Sequence, residues 1–277
     1  MKTLNKWATM ALTIGLAFQF SACDKDDDST TPPKNNDALS SYVLAGEQST
    51  SSVDVKLYFG EDVFVGYNHV AVRLTESGTD NMIENATVSF LPMMDMGTMM
   101  HSAPFSNPTF DVDMDAYMGS STFIMPSGTM GSWTFSVLVE VNGGSMDTAT
   151  FTIEVEAKQE AKLYNFKSAL NDDTYFVALK EPMAPEVGLN DFEVMVYKRE
   201  TMMSFPPATD LKIEIEPEMP SMGHGSPNNE NPTHVGDGLY SGRVNFTMTG
   251  YWKVNMKIMD AQDSVIKADG FFDITFQ

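Results

Sequence analysis

Apolar and polar positions alternate with a period of two through most of the chain. Val70, Val72 and Leu74 alternate with His69, Ala71 and Arg73, and further along Phe192, Val194 and Val196 alternate with Asp191, Glu193 and Met195. Ala86, Val88 and Phe90 follow the same rule, as do Leu211, Ile213 and Ile215. Trp133, Phe135, Val137, Val139 and Val141 form a longer run, matched by Trp252, Val254, Met256 and Ile258. Side chains two apart share one face of an extended strand, so each run predicts a half-buried strand over a core. Turn-rich spacers separate the runs, and a helical period is almost absent. The expected fold is therefore all-β, built as sandwiches of immunoglobulin-like size.

The chain also repeats itself. Gly66-Tyr67-Asn68 returns as Gly188-Leu189-Asn190, and Tyr117-x-Gly119-x3-Phe123-x-Met125 as Tyr240-x-Gly242-x3-Phe246-x-Met248. Met96-x2-Met99-x-His101-x2-Pro104 returns with identical spacing as Met219-x2-Met222-x-His224-x2-Pro227, and Gly131-x-Trp133 as Gly250-x-Trp252. The landmarks keep one order, so duplication explains them better than coincidence. Two tandem sandwiches are expected, over residues 42–157 and 158–277.

What precedes them has another character. Lys2 and Lys6 flank the start of an uncharged stretch from Ala8 to Phe20, and Ser21 and Ala22 lead into Cys23, the one cysteine. Residues 1–22 read as a signal peptide, too short to span a membrane. Small residues before a lone cysteine resemble the lipobox of bacterial lipoproteins, which implies lipidation of Cys23. Residues 23–41, with Asp24, Asp26, Asp27, Asp28, Pro32 and Pro33, read as a flexible acidic tether. The order Cys23-x-Lys25-Asp26-Asp27 also resembles the signal that sends some lipoproteins to the outer membrane surface. The expected location is thus the envelope, held to the membrane through the lipid alone.

Charge and composition narrow the chemistry. A formal net charge of −21 speaks against nucleic acid as a partner, because phosphate binding needs clustered Lys and Arg. One cysteine excludes disulfides within the chain and thiolate zinc sites. There is no Gly-x-Ser-x-Gly, no His-Glu-x-x-His and no glycine loop for phosphate, so no enzymatic activity is expected. Asp111-x-Asp113-x-Asp115 opens like a calcium loop, but Ala116 stands where the turn needs glycine and Thr122 where the last carboxylate belongs; a solvated strand edge fits better.

The unusual feature is 22 methionines beside 4 histidines. Thioether sulfur is a soft, neutral donor that never has to lose a proton, and with imidazole it selects Cu(I) over Ca²⁺ or Mg²⁺. The candidate ligands are Met96, Met99, His101 and Met125 in the first copy and Met219, Met222, His224 and Met248 in the second. Packing alone would ask for apolar character, and would not ask for a histidine two residues after a methionine, twice. Methionine also makes adaptable apolar surface, so loops that contact a partner protein are the competing reading.

The second copy, with Gly188-x-Asn190, Met219-Pro220-Ser221-Met222-Gly223-His224, Gly238-Leu239-Tyr240 and Met248-Thr249-Gly250-Tyr251-Trp252, resembles the YtkA-like domain family, related to FixH. The first copy is a diverged version, with Gly97 in place of the proline and two residues inserted between Pro92 and His101. The resemblance implies an immunoglobulin-like sandwich, a non-catalytic envelope protein and a connection to copper supply. The chain lacks the transmembrane helix of FixH. The function expected is a lipoprotein that binds Cu(I), or a similar soft ion such as Ag(I), for sequestration or handover.

Overall fold

The alternation of apolar residues builds eighteen strands and, among the described residues, no α-helix. The structure, a computed structural model, describes residues 38–277. The expected signal peptide, the lipidated Cys23 and most of the acidic tether lie outside the described residues. The first nine strands are β1 (Val43–Ser49), β2 (Val53–Phe59), β3 (Gly66–Glu76), β4 (Ala86–Asp95), β5 (Met100–Ser102), β6 (Phe105–Asp111), β7 (Ala116–Phe123), β8 (Ser132–Val141) and β9 (Met146–Ile153). They form a five-stranded sheet of order β1-β2-β3-β7-β6 and a four-stranded sheet of order β5-β4-β8-β9.

The next nine are β10 (Leu163–Lys167), β11 (Thr174–Glu181), β12 (Gly188–Arg199), β13 (Lys212–Met219), β14 (His224–Gly225), β15 (Glu230–Gly236), β16 (Leu239–Phe246), β17 (Gly250–Met259) and β18 (Val265–Phe276). Their sheets run β10-β11-β12-β16-β15 and β14-β13-β17-β18. Strand for strand, the two orders coincide. Each pair of sheets closes on its own core, one containing Leu57, Phe90, Phe123 and Trp133, the other Phe192, Ile213, Phe246 and Trp252. All strand pairings are antiparallel, which lets one face of each sheet meet solvent while the other packs.

Most of the repeated sequence has a structural task. Asn68 Oδ1 accepts from Phe64 N at 3.1 Å while its Nδ2 donates to Phe64 O and Gly66 O at 2.8 Å. Asn190 does the same with Glu186 and Gly188. Gly66 and Gly188 have φ of 144° and 114°, so only glycine enters these strands without strain. The repeated tyrosines fasten the strand that opens the opposite sheet: Ala86 N donates to Tyr117 Oη at 2.7 Å, and Leu211 N to Tyr240 Oη at 3.0 Å.

Gly119 and Gly242 sit where the edge strand bulges across them. A Cβ at Gly119 would meet Ser106 O at 2.9 Å, and one at Gly242 would meet Pro232 N at 2.7 Å. The register of β6 on β7 slips between Ser106 and Thr109, and that of β15 on β16 between Glu230 and Thr233. In each bulge an asparagine reaches the other sheet: Phe90 N donates to Asn107 Oδ1 and Ile215 N to Asn231 Oδ1. This repeated Asn-Pro pair is a sequence signal absent from the motifs above. It satisfies a backbone donor of the opposite sheet where the bulge interrupts the ladder.

The sandwiches pack on each other within one contiguous unit. Leu163, Phe176, Ala178, Tyr197 and Phe205 of the second form a buried cluster against Val65, Tyr67 and Ile124 of the first. Val65 N donates to Glu156 O and Glu156 N to Val63 O, both at 2.9 Å, so the connection is tied to the first sandwich. Ser102 N donates to Met202 O at 2.9 Å across the boundary.

Candidate functional site

The methionine and histidine segments are hairpins, where open loops were expected. In the first copy β4 pairs with β5, Met94 opposite His101; in the second β13 pairs with β14, Met219 opposite His224. On the other side Met94 lies opposite Trp133, and Glu218 opposite Lys253 puts Met219 level with Trp252. The structural counterpart of Met219 is therefore Met94, and the sequence alignment of Met219 with Met96 is corrected. The two extra residues of the first copy are accommodated in the turn between Asp95 and Met100, beyond the paired strands. Gly131 and Gly250 confirm the equivalence, since a Cβ there would lie 3.0 Å from the Met94 methyl and 3.3 Å from the Met219 methyl.

This register puts a thioether, an imidazole and an indole side by side in each copy. Residues directly opposite on antiparallel strands have Cβ atoms about 5 Å apart on one face. The His101 ring meets the Trp133 ring edge-on at 5.2 Å, and His224 meets Trp252 at 5.8 Å. Trp133 Nε1 donates to Met125 O and Trp252 Nε1 to Met248 O, both at 2.9 Å, which fixes these methionines, two residues past the ends of β7 and β16, beside the same indoles.

The imidazoles are held in matching tautomers. His101 Nδ1 lies 2.9 Å from Ser102 O, and His224 Nδ1 lies 2.9 Å from Gly225 O. A carbonyl only accepts, so each Nδ1 carries a proton, and a neutral ring in this orientation has its lone pair on Nε2. Metal-bound histidines are oriented by this kind of hydrogen bond on the other nitrogen. His101 is 1% exposed, and its Nε2 is buried without a hydrogen-bond partner. An orphaned buried acceptor costs roughly 1–3 kcal/mol.

The remaining expected ligands divide by exposure. Met96 and Met125 are partly buried against the first core, and Met219 is buried in the second. Met96 N donates to Met99 O at 3.0 Å, closing the turn, and Met99 is exposed while His101 is sealed. The turn does not give Met99 and His101 a shared environment. Met222 is 62% exposed and Met248 39%, and His224 is only half-buried, so the second site is open to solvent. Asp111 ends β6, the edge strand of its sheet, and in the turn that follows Asp111 Oδ1 accepts from Asp113 N and Met114 N.

The first imidazole is buried at the wall of a cleft. A cavity of about 310 Å³ between the sandwiches is lined by His101, Ile124 and Met125 from the first and by Phe176, Met202 and Phe205 among others from the second. Lys167 and Arg199 stand along it, and no carboxylate lines it. Met202 escaped the sequence reading because it belongs to no repeated motif. Only the docking of the two sandwiches places it near His101.

Residues 169–257, about a third of the chain, match the family model described as YtkA-like. The matched stretch contains Gly188, Asn190, Met219, Met222, His224, Tyr240, Gly242, Met248 and Trp252. No curated protein matches the chain. Among solved structures it is similar to a DUF4426 family protein from Pseudomonas aeruginosa PAO1, at 14% identity over 44% of this chain and 99% of that one, with a TM-score of 0.31. It is also similar to the Escherichia coli adhesin FdeC, at 18% identity over 81% of this chain and 66% of that one, with a TM-score of 0.26. The Yersinia pseudotuberculosis adhesin InvE aligns at 13% identity over 78% of this chain and 56% of that one, with a TM-score of 0.25.

Proposed function

We propose, taking the YtkA-like match over residues 169–257 as premise, that this protein is a non-catalytic envelope lipoprotein, anchored through Cys23, that holds Cu(I) or a similar soft ion for sequestration or handover. The observation that carries the reading is the repeated imidazole whose Nδ1 faces a carbonyl in both copies, with the Nε2 of His101 buried and without a partner. Hydrogen bonds and bulges account for the repeated Asn68 and Asn190, Tyr117 and Tyr240, and Gly119 and Gly242, and require neither histidine. His101 with Met125, and His224 with Met222 and Met248, would supply the donors, and Met94 and Met219 stand opposite the two imidazoles. Met96 and Met99 would join only if the first turn rearranged. These donors are neutral and soft, which suits a monovalent thiophilic ion and disfavours hard dications.

A second reading has support of its own. Met99, Met100, Met130 and Met222 are more than half exposed, which is adaptable apolar surface of the kind that contacts a partner protein at the cell surface. Titration of the purified protein with Cu(I) against a colorimetric chelator separates the two. Copper held against micromolar chelator, and lost in the double variant His101→Ala with His224→Ala, is the expected result. Parent protein that yields all its copper to the chelator would leave the partner-contact reading in its place.

A further inference from the structure

The two copies offer their histidines in opposite circumstances. His224 faces an open surface, whereas His101 is enclosed by the second sandwich. The segment that encloses it is the turn after β12, where Ser102 N donates to Met202 O and Glu200 N and Thr201 N both donate to Ser204 O. Ser102 is the residue whose carbonyl accepts the His101 Nδ1 proton, so one residue holds both the imidazole and the covering turn. Beyond this clasp His101, Met125 and Met202 line a single cavity.

We infer that Met202 of the second sandwich completes the soft-metal site of His101 and Met125, making the first copy, with its buried imidazole, a retention site and the second copy an open exchange site. This inference rests on the copper reading above. Three neutral soft donors around one cavity are enough for a monovalent ion of this class. The unpartnered Nε2 supplies the motive, since binding there relieves an acceptor that nothing else satisfies. No carboxylate lines the cavity, so a hard dication entering it would find no anionic oxygen. Ligands drawn from both sandwiches also tie occupancy to their docking: an ion bound there holds the clasp shut. An ion at His224, with Met222 and Met248 exposed beside it, stays within reach of an acceptor.

The purified protein should take two equivalents of Cu(I), one bound more tightly than the other. Met202→Leu, a change of similar volume at a residue 41% exposed, is expected to weaken the tighter equivalent by about tenfold or more and leave the weaker one unchanged. His224→Ala should abolish the weaker equivalent only. With methyl-labelled methionine and Ag(I) as the probe, the Met125 and Met202 methyl signals should move with the first equivalent, and those of Met222 and Met248 with the second. If Met202→Leu changes nothing and the Met202 methyl stays put while His101→Ala still weakens binding, the interdomain site is wrong and the copper reading survives. If neither histidine variant alters retention, the copper reading itself has failed, and the inference with it.

Discussion

Trp252→Ala should destabilise the second sandwich by about 3–5 kcal/mol, the range for emptying an aromatic site in a core. The side chain is fully buried, packs against Phe246 at 5.5 Å, and is edge-on to His224. Three losses coincide in this variant. The core keeps a cavity that neighbouring strands cannot fill, the Met248 carbonyl loses its donor, and the imidazole loses the wall it leans on. Trp252→Phe separates them, because it keeps most of the apolar volume and gives up the Nε1 hydrogen bond; about 1–3 kcal/mol is expected from that bond. Denaturant unfolding checks both values. Equal losses for Ala and Phe would show that packing matters less at this position than the carbonyl contact.

The second large effect is alkaline unfolding. Burial pushes the Tyr164 and Tyr197 phenols well above their usual range and raises Tyr240 to about 12. Tyr251, at an exposed position, is raised to about 12, first because its hydroxyl donates to Asp273 at 2.7 Å. A phenol is neutral while protonated, and in the unfolded chain it loses its proton near pH ~10. Between that pH and the folded values the unfolded chain binds fewer protons than the folded one, so stability falls as pH rises. The contribution is fully present below pH ~10 and is lost progressively above it. Lys162, whose pKa burial holds down, works in the opposite direction, one group against several.

Tyr197 belongs to the cluster between the sandwiches and takes a hydrogen bond from Thr122 across it, so its ionisation should also loosen their docking. The expected result is a denaturation midpoint that is level to about pH 9.5 and declines beyond pH ~10, with a shallower decline in Tyr197→Phe. A midpoint unchanged to pH ~11 would contradict the buried environments of these phenols.

How far the sequence foretold the protein depends on the range of each interaction. The strands of Trp133 and Trp252 were legible because a period of two is written into neighbouring residues. The duplication was legible because Asn68 and Asn190, Tyr117 and Tyr240, and Gly119 and Gly242 make local or strand-register contacts that demand those residue types. The hairpin register was not legible. Identical spacing from Met to His hid the two-residue insertion, which the turn absorbs, and only strand pairing identifies Met94 as the partner of His101. Burial of His101 was hidden for a different reason, since it depends on a contact from Ser102 to Met202, a hundred residues away in sequence.

The two imidazoles whose Nδ1 atoms face carbonyls carry the proposed chemistry, and X-ray absorption at the copper edge of the Cu(I)-loaded protein tests it most directly. A shell containing both sulfur and imidazole nitrogen, with the nitrogen lost in His101→Ala combined with His224→Ala, is the predicted spectrum. A first shell of oxygen and nitrogen alone, or one that the histidine substitutions leave untouched, would contradict it.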